Sequence, residues 1–481
     1  MPPGSSNNLH SRYNPRGEAE RYVNSLTLKE GIRFFILIEP GLGYLVPPLR
    51  KKNPAAKVIA LHCARPGAPG EGENSPDSSW HPESGLALQD FLEKEIPDTK
   101  AGTVKIIEWR PGLGVFGEQY LRLMEETVEF IKRVDASART AGEFGRRWLG
   151  NFFRNLGLLG EILAPSPLSL PVVVAGAGPG LEDAIPLLKE RQGSLFILAV
   201  SSATAALEER GLTPDLVIAT DGGNWARLHL AECWRRIFLG KKACAGLAAA
   251  LVAALPSQCA SVPILPISDG SRWQNLVLAG LGIPSAALPQ RGTVAASALD
   301  LAFYLTRGKV FITGLDLALR DIRSHVRPYG FDALWEKNEG RLNPVYSQSF
   351  VRAAGARAGG SYGIYASWFG RRLEAWPRRL FTLGKNNPVF EALGTSDPGN
   401  GFSGNDPGPR QAPFRTLLLK KHQNPSRKAA LLIRAALQDP RRSGETAGEL
   451  GCLLFPGREP VPLRELEEAV LSLACPPRRH E

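Results

Sequence analysis

Glycines and a proline follow an apolar segment of the sequence at the spacing of a strand-to-helix turn. Residues 171–175 (PVVVA) lead into Gly176, Gly178, Pro179 and Gly180, and a segment with helical periodicity comes next. Glycines let a backbone approach a phosphate, and the N-terminus of a helix offers free N–H groups. The third glycine comes one residue earlier than in the dinucleotide fingerprint GxGxxG, and the next apolar segment ends without an acid. We therefore predict a nucleotide loop that does not bind NAD, with a tight packing turn as the alternative.

Small polar and acidic residues end other apolar segments. Ser201 and Ser202 follow residues 194–200, Asp221 follows residues 215–220, and Asp316 follows residues 310–313 and a short turn. Strand ends of a parallel sheet meet at one edge, where ligands bind. Either aspartate can bind a ribose hydroxyl, orient a base or ligate a metal, and the alternative role is a helix cap. No DxD motif lies near them, so no metal site is predicted.

His325 is the histidine best placed for acid–base chemistry, because it lies nine residues after Asp316 in a basic segment. Arg323 and Arg327 flank it and are predicted to bind an anionic group. The alternative for His325 is a loop histidine without a chemical role. Four tyrosines offer hydroxyl groups to a leaving phosphate, and no spacing rule selects among them: Tyr329, Tyr346, Tyr362 and Tyr365.

The positive charge of the chain is concentrated in one segment. The 481 residues carry 58 Lys and Arg against 47 Asp and Glu, a net charge of +11. Residues 321–390 hold 11 basic and 5 acidic side chains, which gives +6, whereas residues 165–320 and 391–481 each hold 13 and 11, which gives +2. No RNA-binding motif or zinc finger accompanies the charge. This distribution favours a small anionic substrate over nucleic acid, and a solvated basic face is the alternative.

The elements that position these residues alternate in type. Apolar strands without polar interruptions alternate with helical segments between residues 165 and 320, which is typical of a doubly wound, mostly parallel α/β sheet. We predict three regions: a smaller N-terminal α/β domain with a helical exit (1–164), a central nucleotide-sugar-binding domain (165–390), and a linker followed by a helical C-terminal region (391–481). Helices are expected near 116–134, 137–160 and 414–437.

Cysteine usage and the chain termini suggest an intracellular protein. The six cysteines, Cys63, Cys233, Cys244, Cys259, Cys452 and Cys475, form no CxxC pair and are expected to be reduced thiols. Met1 to Asn14 is polar and shows no signal-peptide pattern. The longest apolar run, Cys244 to Leu255, is shorter than the roughly 20 residues that span a bilayer. We expect a cytoplasmic protein that binds neither membrane nor nucleic acid.

Taken as an ordered set, the motifs resemble the motility-associated-factor (Maf) family of bacterial flagellin glycosyltransferases. That family shares its central domain with archaeal 6-hydroxymethylpterin diphosphokinase, and its fold is similar to sialyltransferases, a Rossmann-like arrangement. The resemblance covers roughly residues 10–385. It rests on residues 171–183 (PVVVAGAGPGLED), 198–203 (LAVSSA), 211–221 (GLTPDLVIATD), 292–302 (GTVAASALDLA), 314–318 (GLDLA), 11–15 (SRYNP) and 18–21 (EAER).

The resemblance implies transfer of a nonulosonic acid, of pseudaminic or legionaminic type, from a CMP donor to Ser or Thr of flagellin, without an obligatory cofactor or metal. By the same resemblance, Gly176, Gly178 and Pro179 lie in the nucleotide loop, and the donor pocket is lined by Asp221, Gly292, Thr293 and Asp316. The family often has Ser where this chain has Gly180, and also where it has Thr293.

Two other functions fit the same motifs. One is a diphosphokinase that uses ATP and Mg²⁺, for which the two aspartates and the glycine loop are suitable. The other is a non-enzymatic flagellin-binding protein with a degenerate nucleotide pocket, which the loss of a hydroxyl at Gly180 favours.

Overall fold

A computed structural model describes residues 9–28, 31–66, 72–96, 103–165, 167–231, 246–357, 361–373, 376, 378–384, 386–391, 393, 414–419, 423–458 and 460–476. Cys233, Cys244, Lys385 and the predicted linker at 397–413 lie outside these residues. The chain divides into two compact units, Met1–Gly145 with Gly451–Glu459, and Arg146–Leu450 with Pro460–Glu481.

The N-terminal unit is built on a four-stranded parallel sheet in the order β3-β2-β1-β4. Its strands are Phe34–Ile38 (β1), Lys57–Leu61 (β2), Ser78–Trp80 (β3) and Val104–Glu108 (β4). Its helices are Pro15–Ser25 (α1), Val46–Lys52 (α2), Leu88–Glu95 (α3) and Arg110–Phe116 (α4). Residues 35–38 of β1 are fully buried and contribute alternately to two hydrophobic clusters, one on each face of the sheet. The predicted small α/β domain is therefore present.

A single helix, Glu118–Leu156 (α5), replaces the two helices predicted near 116–134 and 137–160. The segment contains no proline, and its glycines lower helix stability by only about 1 kcal/mol each. Two of these glycines permit close packing within the N-terminal unit. A Cβ at Gly142 would lie 2.6 Å from the Pro456 side chain, and one at Gly145 would lie 2.3 Å from the Leu453 carbonyl oxygen.

The second unit contains a ten-stranded sheet whose main order is β13-β12-β6-β7-β8-β9-β10-β5-β14, with β11 paired to β10. All pairings are parallel except that of β14 with β5. The strands are Glu161–Pro165 (β5), Val172–Ala175 (β6), Phe196–Val200 (β7), Leu216–Ala219 (β8), Leu247–Ala250 (β9), Ile264–Ser268 (β10), Ala286–Ala287 (β11), Val310–Thr313 (β12), Leu380–Thr382 (β13) and Phe414–Leu418 (β14).

Helices follow most of these strands, as the alternating pattern predicts. They are Leu181–Arg191 (α6), Thr204–Glu209 (α7), Arg272–Leu281 (α8), Val294–Leu305 (α9), Asp332–Lys337 (α10), Val345–Arg357 (α11) and Ser361–Arg372 (α12), and then the C-terminal Pro425–Gln438 (α13), Ser443–Leu454 (α14) and Leu463–Ala474 (α15). Every residue of β6, β7, β8 and β12 is buried, which is typical of a parallel sheet covered on both faces. The predicted fold class is confirmed: mixed α/β with a large, mostly parallel sheet and C-terminal helices.

Two strands differ from the predictions. The apolar run Cys244–Leu255 contains β9, a strand of Leu and Ala whose composition gives little strand preference. Residues 414–418, predicted as helical, form β14 against β5, and the large sheet thus begins at Glu161. The helix starts later, where the Asn424 side chain accepts the Arg427 amide hydrogen and Pro425 occupies the first turn. In the part of the chain that the structure describes, no helix is long and apolar enough to cross a membrane.

Candidate functional site

The crevice between β6 and β12 is the topological switch point of the large sheet. From β6 the chain moves outward through β7, β8, β9 and β10, and it later returns to place β12 on the opposite side of β6. Ligands in open parallel sheets bind outside the carboxyl ends of the strands at such a reversal. The loop Gly176–Gly180 follows β6, and the turn Gly314–Asp316 follows β12, so both predicted segments lie at this crevice.

Close contact between these two segments explains the glycines. The Gly178 amide donates to the Gly314 carbonyl oxygen at 2.8 Å. A Cβ at Gly176 would lie 2.4 Å from that oxygen, and one at Gly178 would lie 2.1 Å from Oδ2 of Asp316. Real Cβ atoms do not approach so closely, so no other residue fits without displacing the backbone. Packing alone therefore requires both glycines, whether or not a ligand binds.

Asp316 occupies the N-terminal end of α6. Both of its carboxylate oxygens lie 2.9 Å from the Gly180 amide nitrogen, which donates to them. Burial raises the pKa of Asp316, and the Gly180 hydrogen bond and the positive charge of Arg320 oppose this effect. The carboxylate thus takes the position at which a helix N-terminus attracts an anion. A donor phosphate at this helix end must share it with, or displace, the Asp316 side chain.

The segment after Asp316 is tied to the glycine loop. The Val326 amide donates to the Ala177 carbonyl oxygen at 2.9 Å, which holds the adjacent His325 near the crevice. His325 Nδ1 lies 2.9 Å from the Ser324 hydroxyl, and its ring stacks on Tyr329 with centroids 4.2 Å apart. The cleft beside these rings has room for about one water molecule.

Two of the four candidate tyrosines adjoin His325 and Ser324. Tyr329 stacks on the His325 ring, and the Tyr362 hydroxyl hydrogen-bonds to Ser324 and lies within electrostatic range of Asp316. Burial raises the pKa of Tyr362, so the phenol remains protonated at neutral pH. The structure thus links Tyr362, Ser324 and His325, a selection that spacing in the sequence does not make.

The arginines predicted to bind an anion have carboxylate partners. Arg323 pairs with Glu182 at 3.0 Å, and Arg327 pairs with Asp332 and lies over the Trp335 ring. Arg320, which the sequence did not single out, pairs with Asp183 through two hydrogen bonds of 3.2 and 2.6 Å. The Arg323 and Arg320 side chains are 30% and 32% exposed, so these pairs contribute little to stability and are exchangeable.

The other basic residues of the segment are dispersed. Arg379 donates to the carbonyl oxygens of Thr306 and Gly308 and therefore has a structural role. Lys337, Arg341 and Arg378 are exposed. Lys385 and the side chains of Arg352, Arg357 and Arg371 lie outside the described part of the chain.

The remaining predicted residues lie along the same carboxyl edge, farther from the crevice. Asp221 is exposed, and its Oδ1 accepts the Gly223 amide at 2.7 Å. It follows β8, which is three strand positions from β12, or about 14 Å at the usual strand spacing. Ser201 is buried and Ser202 half-buried after β7. Thr293 caps α9 by accepting the Ala296 amide at 3.1 Å, and Gly292 before it has φ +74°.

His229 is a further histidine at this edge that the sequence analysis missed. It lies in a 3₁₀ helix, Asn224–Leu230, with its ring 5.0 Å from Tyr329 and 4.6 Å from Phe331. Burial lowers the pKa of His229 to about 4, although the charge of Asp221 opposes the shift. The imidazole is therefore neutral at pH 7. Ring contacts on Tyr329, tilted for His229 and stacked for His325, connect the two histidines, and no motif in the sequence signals this arrangement.

Comparisons with known proteins return one family model, a curated relative and a solved structure. Residues 146–321 match the model of the 6-hydroxymethylpterin diphosphokinase MptE-like family, starting where the second compact unit starts. A protein of Treponema pallidum (strain Nichols), described as uncharacterized, is 28% identical over 285 residues. The match covers 59% of this chain and about three fifths, 60%, of the length of that relative.

A Maf glycosyltransferase structure from Magnetospirillum magneticum AMB-1 aligns with 95% of this chain and 77% of its own, at 11% identity and a TM-score of 0.43. The residues that match the family model include the strands and loops that form the switch-point crevice. Residues 146–321 are therefore similar to the MptE-like family, as the sequence resemblance predicts.

Proposed function

We propose that this protein is a glycosyltransferase that moves a nonulosonic acid from a CMP donor to a Ser or Thr hydroxyl of flagellin. The observation that carries the proposal is the crevice between β6 and β12, where the glycine loop, Asp316 and the His325 segment converge. Further support comes from the MptE-like domain and from the Maf-type order of motifs along the chain.

In the proposed reaction, the acceptor oxygen attacks the anomeric carbon of the sugar. The bond from that carbon to the phosphate oxygen breaks, and the electron pair leaves with CMP. The hydroxyl proton passes to His325, whose ring is oriented by the Ser324 hydroxyl and by Tyr329. In this scheme the Tyr362 and Ser324 hydroxyl groups donate to the developing phosphate charge.

The donor carries a phosphate and a carboxylate, and the arginines of the basic segment suit both groups. On donor binding, Arg320 and Arg323 exchange Asp183 and Glu182 for the ligand. Asp221, Gly292 and Thr293 lie along the same carboxyl edge and in this scheme contact the part of the donor that extends away from Asp316.

The experiment is an assay of CMP release from a CMP-nonulosonic acid with purified flagellin as acceptor. The proposal predicts release that depends on flagellin, accompanied by a mass increase of the acceptor. Replacing His325 or Asp316 by Ala abolishes both signals in a protein that remains folded by circular dichroism. Near wild-type release in both variants contradicts the placement of the active site.

The family match favours a second candidate, a diphosphokinase that transfers pyrophosphate from ATP. Such an enzyme needs Mg²⁺, which proteins hold through one or two carboxylates together with substrate phosphates. Asp316 uses both oxygens on the Gly180 amide, and Asp221 is about 14 Å away by strand spacing. By this spacing the two aspartates are not placed to ligate the same magnesium ion.

Calorimetry separates the proposals. Binding of CMP that persists in a chelator favours the transferase, and binding of ATP only with Mg²⁺ favours the kinase. Binding of flagellin without binding of either nucleotide selects the non-enzymatic alternative, in which Asp316 permanently fills the end of α6.

A further inference from the structure

The N-terminal unit has a cavity of about 210 Å³ at the ends of β1 and β2, separate from every residue invoked above. Val46 and Ala60 supply apolar lining, and Ser75, Ser78, Ser79 and the His62 ring supply polar lining. Pockets for drug-sized ligands measure roughly 300–1,000 Å³. The cavity therefore suits a single small ring.

A buried acid–histidine pair adjoins this cavity. Oε1 of Glu39 lies 3.3 Å from Nδ1 of His62, and both side chains are only 5% exposed. The other oxygen, Oε2, accepts the Cys63 amide hydrogen at 2.7 Å. Burying such groups is costly unless each polar atom has a partner. The carboxylate thus fixes the His62 ring with one nitrogen toward Glu39, as in sites where a histidine handles a proton.

Glu39 also has an unusual backbone conformation. Its φ is +46°, in the left-handed region that residues other than glycine seldom adopt. Such conformations concentrate at functional sites, where the surrounding structure maintains them. Here the Glu39 amide donates to the Leu61 carbonyl oxygen at 2.7 Å, which holds the carboxylate beside the end of β2.

The lining indicates a neutral ligand. None of the residues that line the cavity is Lys or Arg. Asp77, at its rim, already accepts from Arg50 at 2.7 Å and from the Val58 amide at 2.6 Å. The glycine turn that follows β1 does not offer its Leu42 amide to a phosphate, because that amide donates to the His10 ring at 3.1 Å.

We propose that this cavity is a second ligand site, which binds a neutral, hydroxylated ring of monosaccharide size. The ring packs on Val46 and Ala60, its hydroxyl groups hydrogen-bond to Ser75 and Ser79, and one hydroxyl meets the His62 ring oriented by Glu39. The Ser78 hydroxyl is not a partner, because it donates to Glu95 at 2.8 Å. A free sugar and the ribose of a nucleoside share this chemistry.

Saturation-transfer NMR on the full chain tests the proposal, with N-acetyl-D-glucosamine and uridine as separate millimolar probes and excess CMP present to occupy any nucleotide site. We expect saturation of at least one probe, which identifies the source of the ring. The signal falls at least five-fold in His62→Gln and in Ser79→Tyr, which fills the cavity. Ser84→Tyr, an exposed serine outside the lining, is the matched control and keeps the wild-type signal.

The Ser79→Tyr variant answers the question even if His62→Gln fails to fold. Absence of saturation from both probes overturns the proposal and leaves the Glu39–His62 pair as a structural link between two strand ends. A signal that Ser79→Tyr and Ser84→Tyr reduce equally also overturns it.

Discussion

Asp316 caps helix α6 from a distance of 136 residues in sequence, with both carboxylate oxygens 2.9 Å from the Gly180 amide. The contact joins the loops that follow β6 and β12, so one side chain sets the shape of the switch-point crevice. The Asp316 carboxylate already occupies the N-terminal end of α6. A second anion can therefore bind there only when Asp316 is neutralised, shares the site or moves away.

Replacing Asp316 by Ala removes the cap, whereas Asn at this position retains an oxygen that accepts from Gly180. We expect Asp316→Ala to lower the free energy of unfolding by about 0.5–2 kcal/mol, the usual effect of losing such a cap. Asp316→Asn should lose much less stability, and only Asp316→Ala, which loses the cap that shapes the crevice, should lose transfer activity. Urea unfolding of the two variants measures the difference. Equal stability of wild type and Asp316→Ala would contradict the capping role.

Burial of Asp316 also has a consequence for pH dependence. Because its folded-state pKa is raised, the folded protein retains a proton that the unfolded chain releases. Stability from this group is therefore complete below the ordinary pKa of 3.8 and is lost as the pH rises through the folded-state pKa. Asp316→Asn should abolish this decrease in stability with rising pH. The free energy of unfolding, measured at a series of pH values upward from 3.8, detects the difference. An unchanged pH profile in the variant would refute the assignment.

Gly178→Ala tests the contact between the two loops. The added Cβ would lie 2.1 Å from Oδ2 of Asp316, so we expect a loss of about 1–3 kcal/mol, as for other overpacked sites, together with loss of activity. Gly193→Ala is the matched control, because no atom lies within 4 Å of its added Cβ. Thermal unfolding compares the two variants, and equal effects would show that the contact is not important.

His229→Phe tests the buried imidazole. The folded-state pKa of about 4 lies below the ordinary 6.5, so the unfolded chain takes up a proton between these values and the folded protein does not. Stability contributed by His229 is thus present above pH 6.5 and is lost as the pH falls toward 4. The variant keeps ring contacts with Tyr329 and should flatten this slope by about one proton. If the stability of His229→Phe depends on pH in the same way as that of wild type, the buried His229 imidazole does not make this contribution.

Arg323→Gln tests donor binding. Its ion pair with Glu182 is partly exposed, so stability should change by less than about 1 kcal/mol. If Arg323 turns to the donor, the lost charged hydrogen bond should raise KM about ten-fold or more. Arg427→Gln, on the C-terminal helix α13, is the control for a general charge effect. Steady-state assays over a range of donor concentrations provide KM, and an equal KM in both variants would argue against the exchange.

The sequence predicted the parts of the fold that depend on local pattern. Strands β6, β7, β8 and β12 are continuous apolar runs with polar or glycine ends, so their burial and shared edge could be inferred. Strand β14 could not, because its pairing with β5 is a contact between segments about 250 residues apart. The Ala-rich β9 is a strand only because its neighbours pair with it on both sides.

In the candidate site too, local pattern predicted some residues, whereas the contacts between them depend on tertiary packing. Asp316 and the glycines could be identified from their positions after strands, whereas the cap that joins them depends on tertiary packing. Arg323 and Arg327 were chosen for charge, and the acidic first turn of α6 that pairs with Arg323 is distant in sequence. His229 and Tyr362 carry no local signature, and only the packed loops bring them to His325.

Intact-mass spectrometry of flagellin, from a strain with and without the gene for this protein, tests the proposed function most directly. We predict that flagellin from the deletion strain is lighter by the mass of one or more nonulosonic acid residues. We also expect that wild-type protein restores the mass and that the Asp316→Ala variant does not. An unchanged flagellin mass in the deletion strain would contradict the proposal that this protein glycosylates flagellin.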